Sequence, residues 1–183
     1  MTRFLRLLRR FGRRTDGNAA LEFVFALPVF MAVFMASFEG GMIALRQTML
    51  DRALDVAMRD LRLGMLGESP THDDLKTAIC NAAVALPDCA SSLKVTLERV
   101  DTNTWVMPSA TVVCRDRSEA LDPITVLDPT PGARSEVMVV RTCIRTDVLF
   151  GNMGIGKMMN DANMLDGQGG YPLIAYSAFV NEP

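Results

Sequence analysis

The chain has 183 residues, which suits one modest domain with an appendage and argues against a multidomain enzyme. Hydrophobic residues make up 49% of it and charged residues 22%, a hydrophobic fraction that is high for a soluble protein and suggests that something other than water solvates part of the chain. The net charge of −2 hides an asymmetry, because residues 1–17 carry six arginines and one aspartate whereas residues 18–183 sum to −7. No recognition motif or interleaved aromatic residues accompany the basic stretch, which argues against nucleic-acid binding.

The excess of apolar residues lies in one stretch, residues 19–43, in which Glu22 and Glu39 are the only charged side chains. Its first twenty residues, as a helix, span a hydrocarbon core of about 30 Å. The arginine-rich leader before it favours the cytoplasmic side of a membrane. No site near the end of the stretch has small residues at both positions that a secretory signal peptidase needs, so we expect the apolar segment to stay on the mature protein.

A short motif joins the leader to the apolar segment. Gly17 closes the leader, Asn18 follows, and Glu22 lies inside the apolar segment five residues after that glycine. The string from Gly17 to Phe23, GNAALEF, resembles the processing site of type IV pilin-like proteins, and more narrowly of TadE-like minor pilins (pseudopilins) of tight-adherence pili. The resemblance implies that a membrane prepilin peptidase cuts between Gly17 and Asn18.

Glu22 needs a partner, because an acidic side chain at the centre of a membrane helix costs about 2.5 to 3.5 kcal/mol, and less towards the surface. Cleavage would create an ammonium group at Asn18, and the resemblance implies that the carboxylate of one subunit pairs with the N-terminus of its neighbour. We therefore expect Glu22, with Phe23 and Pro28, to form assembly contacts, and Pro28 to loosen the helix. The alternative is that Glu22 is solvated among lipid headgroups.

The helix is predicted to continue beyond Gly40 and Gly41 to about Leu63. Apolar residues recur there at helical spacing, and we expect the charged residues among them to lie largely on other faces. The apolar set is Leu50, Leu54, Ala57 and Leu61, and the charged set is Arg46, Asp51, Arg52, Asp55, Arg59 and Asp60. The predicted organisation is a basic cytoplasmic leader (1–17), a membrane-spanning and amphipathic spine helix (18–63) and an exported head (64–183).

The predicted fold class is α+β: the long membrane-spanning helix, then a small helix plus an antiparallel sheet, stapled by disulfides. Ser69-Pro70 is the predicted start of the second helix, and Pro87 stops it. Its apolar stripe is Leu75, Ile79, Ala83 and Leu86. Runs rich in β-formers predict strands at 94–100, 110–115, 136–148 and 173–180.

Four cysteines lie in the segment that the leader places outside the cytoplasm, where disulfides persist. Three pairings are possible, and we favour Cys80 with Cys89, which ties the second helix to the following loop, and Cys114 with Cys143, which joins two strands. Without a CxxC motif and with His72 as the single histidine, a zinc site is disfavoured.

Two segments are predicted to be long exposed connections, residues 116–134 and residues 151–170. The second contains Gly151–Lys157, which matches the GxxxxGK start of a phosphate-binding loop, but Met158 stands where Ser or Thr should hold Mg²⁺. We expect its methionines, at 153, 158, 159 and 164, to pack in a core or an interface. His72 is expected at a helix start, and the sequence predicts no catalytic residue, no cofactor and no metal site.

The predicted function follows from the resemblance: a minor pilin of an adhesive tight-adherence pilus, acting in assembly at the tip or in initiation. The implied partners are the prepilin peptidase, the major and other minor pilins, and the inner-membrane assembly platform. The chain would cross the inner membrane once, with its head in the periplasm, and then join the pilus. The tail Asn181-Glu182-Pro183 and the strand before it are similar to the ends of TadE-like proteins. The alternative is an uncleaved single-span accessory protein whose head binds an envelope or secretion partner.

Overall fold

The computed structural model of the protein describes residues 18–67, 70–100, 102–106, 114–115, 136–163 and 169–181. The leader with Gly17, the predicted connection 116–134, Met164 and the final Glu182-Pro183 lie outside the described residues, as does most of the predicted strand 110–115. Residues 114–115 of that strand are described, and they are not part of a strand.

Helix α1 runs from Asn18 to Arg62, 45 residues, or about 68 Å at 1.5 Å per residue. Pro28 and the pair Gly40-Gly41 lie inside it without ending it. The helix ends where Gly64 adopts a φ of +69°, a left-handed conformation that glycine enters without steric cost. One continuous helix therefore joins the apolar segment to the head.

Helix α2 spans His72–Ala82 and begins with a capping box. The Thr71 hydroxyl accepts a hydrogen bond from the Asp74 N–H, and the Asp74 carboxylate accepts one from the Thr71 N–H. Hydrogen bonds from the Thr71 side chain, and then from its backbone, lower the pKa of Asp74 below its usual 3.8. The N-cap is therefore Thr71, and the predicted start at Ser69-Pro70 is wrong. The Thr71 hydroxyl and the Asp74 carboxylate each accept a hydrogen bond from the backbone N–H of the other residue, which stabilises the helix start at this position.

The predicted apolar stripe of α2 is confirmed, since all four of its residues are buried. The helix ends at Ala82, earlier than Pro87, and a hydrogen-bonded turn between Leu86 N–H and the Ala83 carbonyl carries the stripe onward. A one-turn helix α3, Cys89–Ser92, then leads into the sheet.

The sheet has three antiparallel strands in the order β1-β2-β3, with β1 at Lys94–Val100, β2 at Glu136–Thr146 and β3 at Tyr171–Asn181. In the register, Val95 lies opposite Thr142, and Thr142 lies opposite Ala175. Alternate residues of each strand face α1 and α2 and complete the buried core. The core residues drawn from the three strands are Val95, Leu97, Met138, Val140, Ile144, Tyr171, Leu173 and Ala175. The predicted α+β fold is confirmed.

Helix α4, Gly154–Asn163, lies in the segment that the sequence predicts to be a loop. That prediction is wrong because tertiary contacts outweigh the weak helix propensity of its Gly and Asn residues. Asn160 accepts a hydrogen bond from the Gly170 N–H at 2.9 Å, and α4 packs against α1 and β3. Contacts with the rest of the head therefore stabilise α4 more than its intrinsic helix propensity does.

Candidate functional site

The first part of α1 is the candidate functional site, because its apolar side chains have no core to enter. The described residues include one helix long and apolar enough to span a membrane; its most apolar window has a mean hydropathy of 2.1, and none of that window is buried. The exposed side chains lie on every side of the helix. They include Leu21, Phe23, Val24, Phe25, Leu27, Val29, Phe30, Met31, Val33, Phe34 and Phe38.

Glu22 lies in this apolar surface, one turn after Asn18 and on the same side of α1. Its side chain is exposed, and within the described part of the chain no hydrogen bond or ion pair joins it to another residue. The carboxylate is thus free to meet a cation from outside the subunit. Gly17, the other half of the predicted processing site, lies outside the described residues.

Phe23 and Pro28 are exposed on the same segment. Pro28 has no N–H to donate to the carbonyl of Val24, so α1 lacks one of its hydrogen bonds at this level. The helix remains continuous here, and the missing bond makes this turn easier to bend than its neighbours.

Glu39 marks the level at which α1 leaves the apolar segment and meets the head. Its side chain is 1% exposed, and its carboxylate accepts hydrogen bonds from the backbone N–H of Leu149 at 3.1 Å and of Phe150 at 3.0 Å. Hydrogen bonds to a charged acceptor are among the stronger ones in proteins. The carboxylate therefore holds the segment after β2 against α1.

Gly156 of α4 closes the same site from the other side. A Cβ at this position would lie 2.6 Å from the Phe150 carbonyl oxygen and 3.3 Å from Oε2 of Glu39. Since no real Cβ approaches a carbonyl so closely, only glycine permits α4 to pack at the level of Glu39.

Arg46 provides a second polar attachment two turns further along α1. Its guanidinium is 7% exposed and donates to the Asp147 carbonyl oxygen at 2.9 Å and to the Tyr171 hydroxyl at 2.8 Å. Gln47 beside it donates to the carbonyl of Ile174 at 2.9 Å. The prediction that the charged residues lie largely away from the apolar face is wrong for Arg46, because buried acceptors of the head partner it.

The disulfides hold the head at two places. Cys80 of α2 is joined to Cys89 of α3, with 5.6 Å between their Cα atoms, and Cys114 is joined to Cys143 of β2, with 5.1 Å. This is the pairing that the sequence favours, although Cys114 does not lie in a strand. On the same face of β2 as Cys143, Arg141 forms an ion pair with Glu98 of β1.

The phosphate-loop string, Gly151–Lys157, forms a turn and the first residues of α4 in this fold. Lys157 Nζ lies 2.6 Å from Oδ2 of Asp161, one turn along α4, and forms an exposed ion pair with it. Gly156 lies directly against the backbone carbonyl of Phe150. No group of three or more His, Cys, Asp or Glu that could hold a metal ion occurs among the residues that the structure describes.

The methionines of this segment differ in their surroundings. Met159 packs against the core, whereas Met153 and Met158 are exposed, so the packing expected for these two is not found within the subunit. His72 is the first residue of α2, as expected, with Nε2 at 3.4 Å from the Val95 carbonyl oxygen.

Sequence reasoning missed the attachment made by Glu39 and Arg46. A signal was available, since these residues are seven apart and Leu50 follows four later, a spacing that repeats on one face of a helix. Charged residues on an apolar face indicate buried acceptors or donors opposite.

Residues 17–59 match the family model described as TadE-like protein. The matched stretch takes in Glu22, Glu39 and Arg46 and stops three residues before the end of α1. The resemblance to TadE-like proteins is thereby confirmed over these residues. No curated protein and no solved structure matches the chain.

Proposed function

We propose that this chain, whose residues 17–59 match the TadE-like family, is a minor pilin (pseudopilin) of a tight-adherence pilus. It is inserted through α1, cut by a prepilin peptidase between Gly17 and Asn18, and then incorporated into the pilus through α1. In this account the leader, residues 1–17, lies in the cytoplasm and the head, residues 64–183, in the periplasm. The peptidase, the assembly platform and the other pilins are its partners.

One observation carries the proposal: α1 exposes an apolar surface on all sides over residues 20–38 while its second half is fixed to the head. Such a surface needs lipid around it, or the helices of neighbouring subunits, because contact with water is unfavourable by about 25 cal/mol per Å². A helix that is fixed to the head at one end and apolar at the other can lie in lipid before assembly and against the helices of neighbouring subunits after it. Hydrogen bonds of Glu39 and Arg46 join the head to this helix.

Glu22 determines how adjacent copies of this surface align along the helix axis. An unpaired carboxylate in an apolar helix bundle is costly, so a subunit packs best where a cation meets Glu22. The ammonium group created at Asn18 of a neighbouring subunit is such a cation. Charge pairing then sets the register between adjacent helices.

The test is incorporation of Glu22→Ala and Glu22→Gln into pili sheared from cells that make the full assembly. We expect both variants to be cleaved and inserted as usual but to fall about tenfold in the pilus fraction, which corresponds to about 1.4 kcal/mol. Asp55→Ala is the matched control, since Asp55 is an exposed carboxylate in the second half of α1. Incorporation of both Glu22 variants at the control level would refute the pairing.

A further inference from the structure

A second apolar surface lies on the head, beside the point where α1 leaves its apolar segment. It consists of the exposed side chains Leu149, Met153, Ile155 and Met158, and is called here the collar. Met158 is the most exposed of the four, at 73%. A group of exposed apolar side chains is informative where a single one is not.

Helix α4 separates its side chains into three sectors. Gly156, Met159 and Asn160 face the protein, and the ion pair of Lys157 with Asp161 occupies a second side. Ile155, Met158 and Ala162, at spacings of three and four residues, form an exposed apolar third side. An apolar face beside a charged face is the pattern of a helix that lies in a membrane interface.

The collar is continuous with the membrane-spanning part of α1. The rings of Phe38 and Phe150 meet edge to face with their centroids 6.3 Å apart, and Phe38 stacks on Phe34 at 6.5 Å. The Glu39 carboxylate holds the Leu149 and Phe150 N–H groups, and Gly156 lies against it. The collar is thus fixed at the level of residues 38–39, where the apolar span ends.

We propose that the collar lies in the outer leaflet of the membrane, with α4 in the headgroup and acyl-chain boundary. It sets how deep α1 sits before assembly and holds the head upright on the bilayer. This inference rests on the membrane insertion of α1 in the proposed function. The occupant is lipid rather than a second protein, because the collar adjoins the surface of α1 that lipid already surrounds.

The test places a single tryptophan in the full-length protein, in vesicles of phosphatidylcholine brominated in its acyl chains. Trp105, the sole tryptophan, is first replaced in a Trp105→Phe background. Met158→Trp reports on the collar. Met65→Trp is the matched control, since Met65 is 71% exposed but follows the far end of α1, about 35 Å along the axis from Glu39. Phe30→Trp reports on insertion of α1.

We expect bromine to quench Met158→Trp at least about threefold more strongly than Met65→Trp, since an interfacial helix places its apolar face about 5–10 Å into the bilayer. Equal quenching of the two, with Phe30→Trp strongly quenched, would overturn the collar and leave insertion intact. Shielding of Met158→Trp from acrylamide without quenching by bromine would also overturn it, because a second protein would then cover this surface. If Phe30→Trp is not quenched, α1 is not in the membrane, and both proposals fail. Native disulfide mapping of each variant confirms that its head is folded.

Discussion

At the scale of single residues, two glutamates of α1 lie in opposite surroundings. Glu22 is exposed and without a partner among the described residues, whereas Glu39, seventeen positions later, is buried and accepts backbone hydrogen bonds from the head. Under the proposed function the same residue type serves assembly at Glu22, whereas at Glu39 it attaches the head. Only the first role is visible in sequence, because the donors that partner Glu39 lie 110 residues away.

Replacing Glu39 by alanine should weaken the attachment of the head. The change leaves two part-buried N–H groups, those of Leu149 and Phe150, without their acceptor and leaves a cavity where the buried side chain was, and we expect it to lower the free energy of unfolding of the head by about 3 kcal/mol. Urea unfolding in detergent micelles, followed by the fluorescence of Trp105, measures the loss. Asp55→Ala should change it by less than about 0.5 kcal/mol, as expected for an exposed site. A loss no larger for Glu39→Ala than for this control would show that the buried carboxylate contributes nothing.

At the scale of elements, helix α4 shows where sequence reasoning stops. The strands and the stripe of α2 are predictable because their apolar residues recur at a period of two or of three to four. Helix α4 has only a short apolar repeat, Ile155, Met158 and Ala162, and its glycine and asparagine residues are weak helix formers. Its packing against α1 and the hydrogen bond between Asn160 and Gly170 stabilise it instead. The start of α2 is also hard to predict, because both Ser69 and Thr71 are favourable N-cap residues by sequence. Thr71 is the N-cap in the structure because it forms reciprocal hydrogen bonds with Asp74.

The two disulfides should contribute unequally to stability. Cys114 and Cys143 are 29 residues apart in sequence and Cys80 and Cys89 are 9 apart, so the first bond removes more chain entropy from the unfolded state. Replacing each pair by serine should cost about 3.6 kcal/mol for the longer loop and about 2.6 kcal/mol for the shorter. Urea unfolding of the two double variants compares them. A larger loss from the shorter loop would contradict the loop-entropy account.

At the scale of the whole molecule, α1 joins two environments. Its first half is an apolar rod, its second half is a core helix of the head, and Glu39 stands at the boundary. Composition and the GNAALEF string predict the rod and its processing site, because charge and hydropathy follow directly from the residues. The position along α1 at which the head begins to pack cannot be predicted from the sequence, because it depends on contacts between α1, the segment after β2 and α4.

The most direct test of the assembly role is the N-terminal residue of the protein taken from cells, determined by mass spectrometry of the intact chain and of its N-terminal peptide. In cells that contain the prepilin peptidase the chain should begin at Asn18, and in cells that lack it the chain should begin at Met1. A new amine at Asn18 would supply the cation that the proposed pairing requires for Glu22 of an adjacent subunit. A chain that begins at Met1 in both kinds of cell would contradict the account.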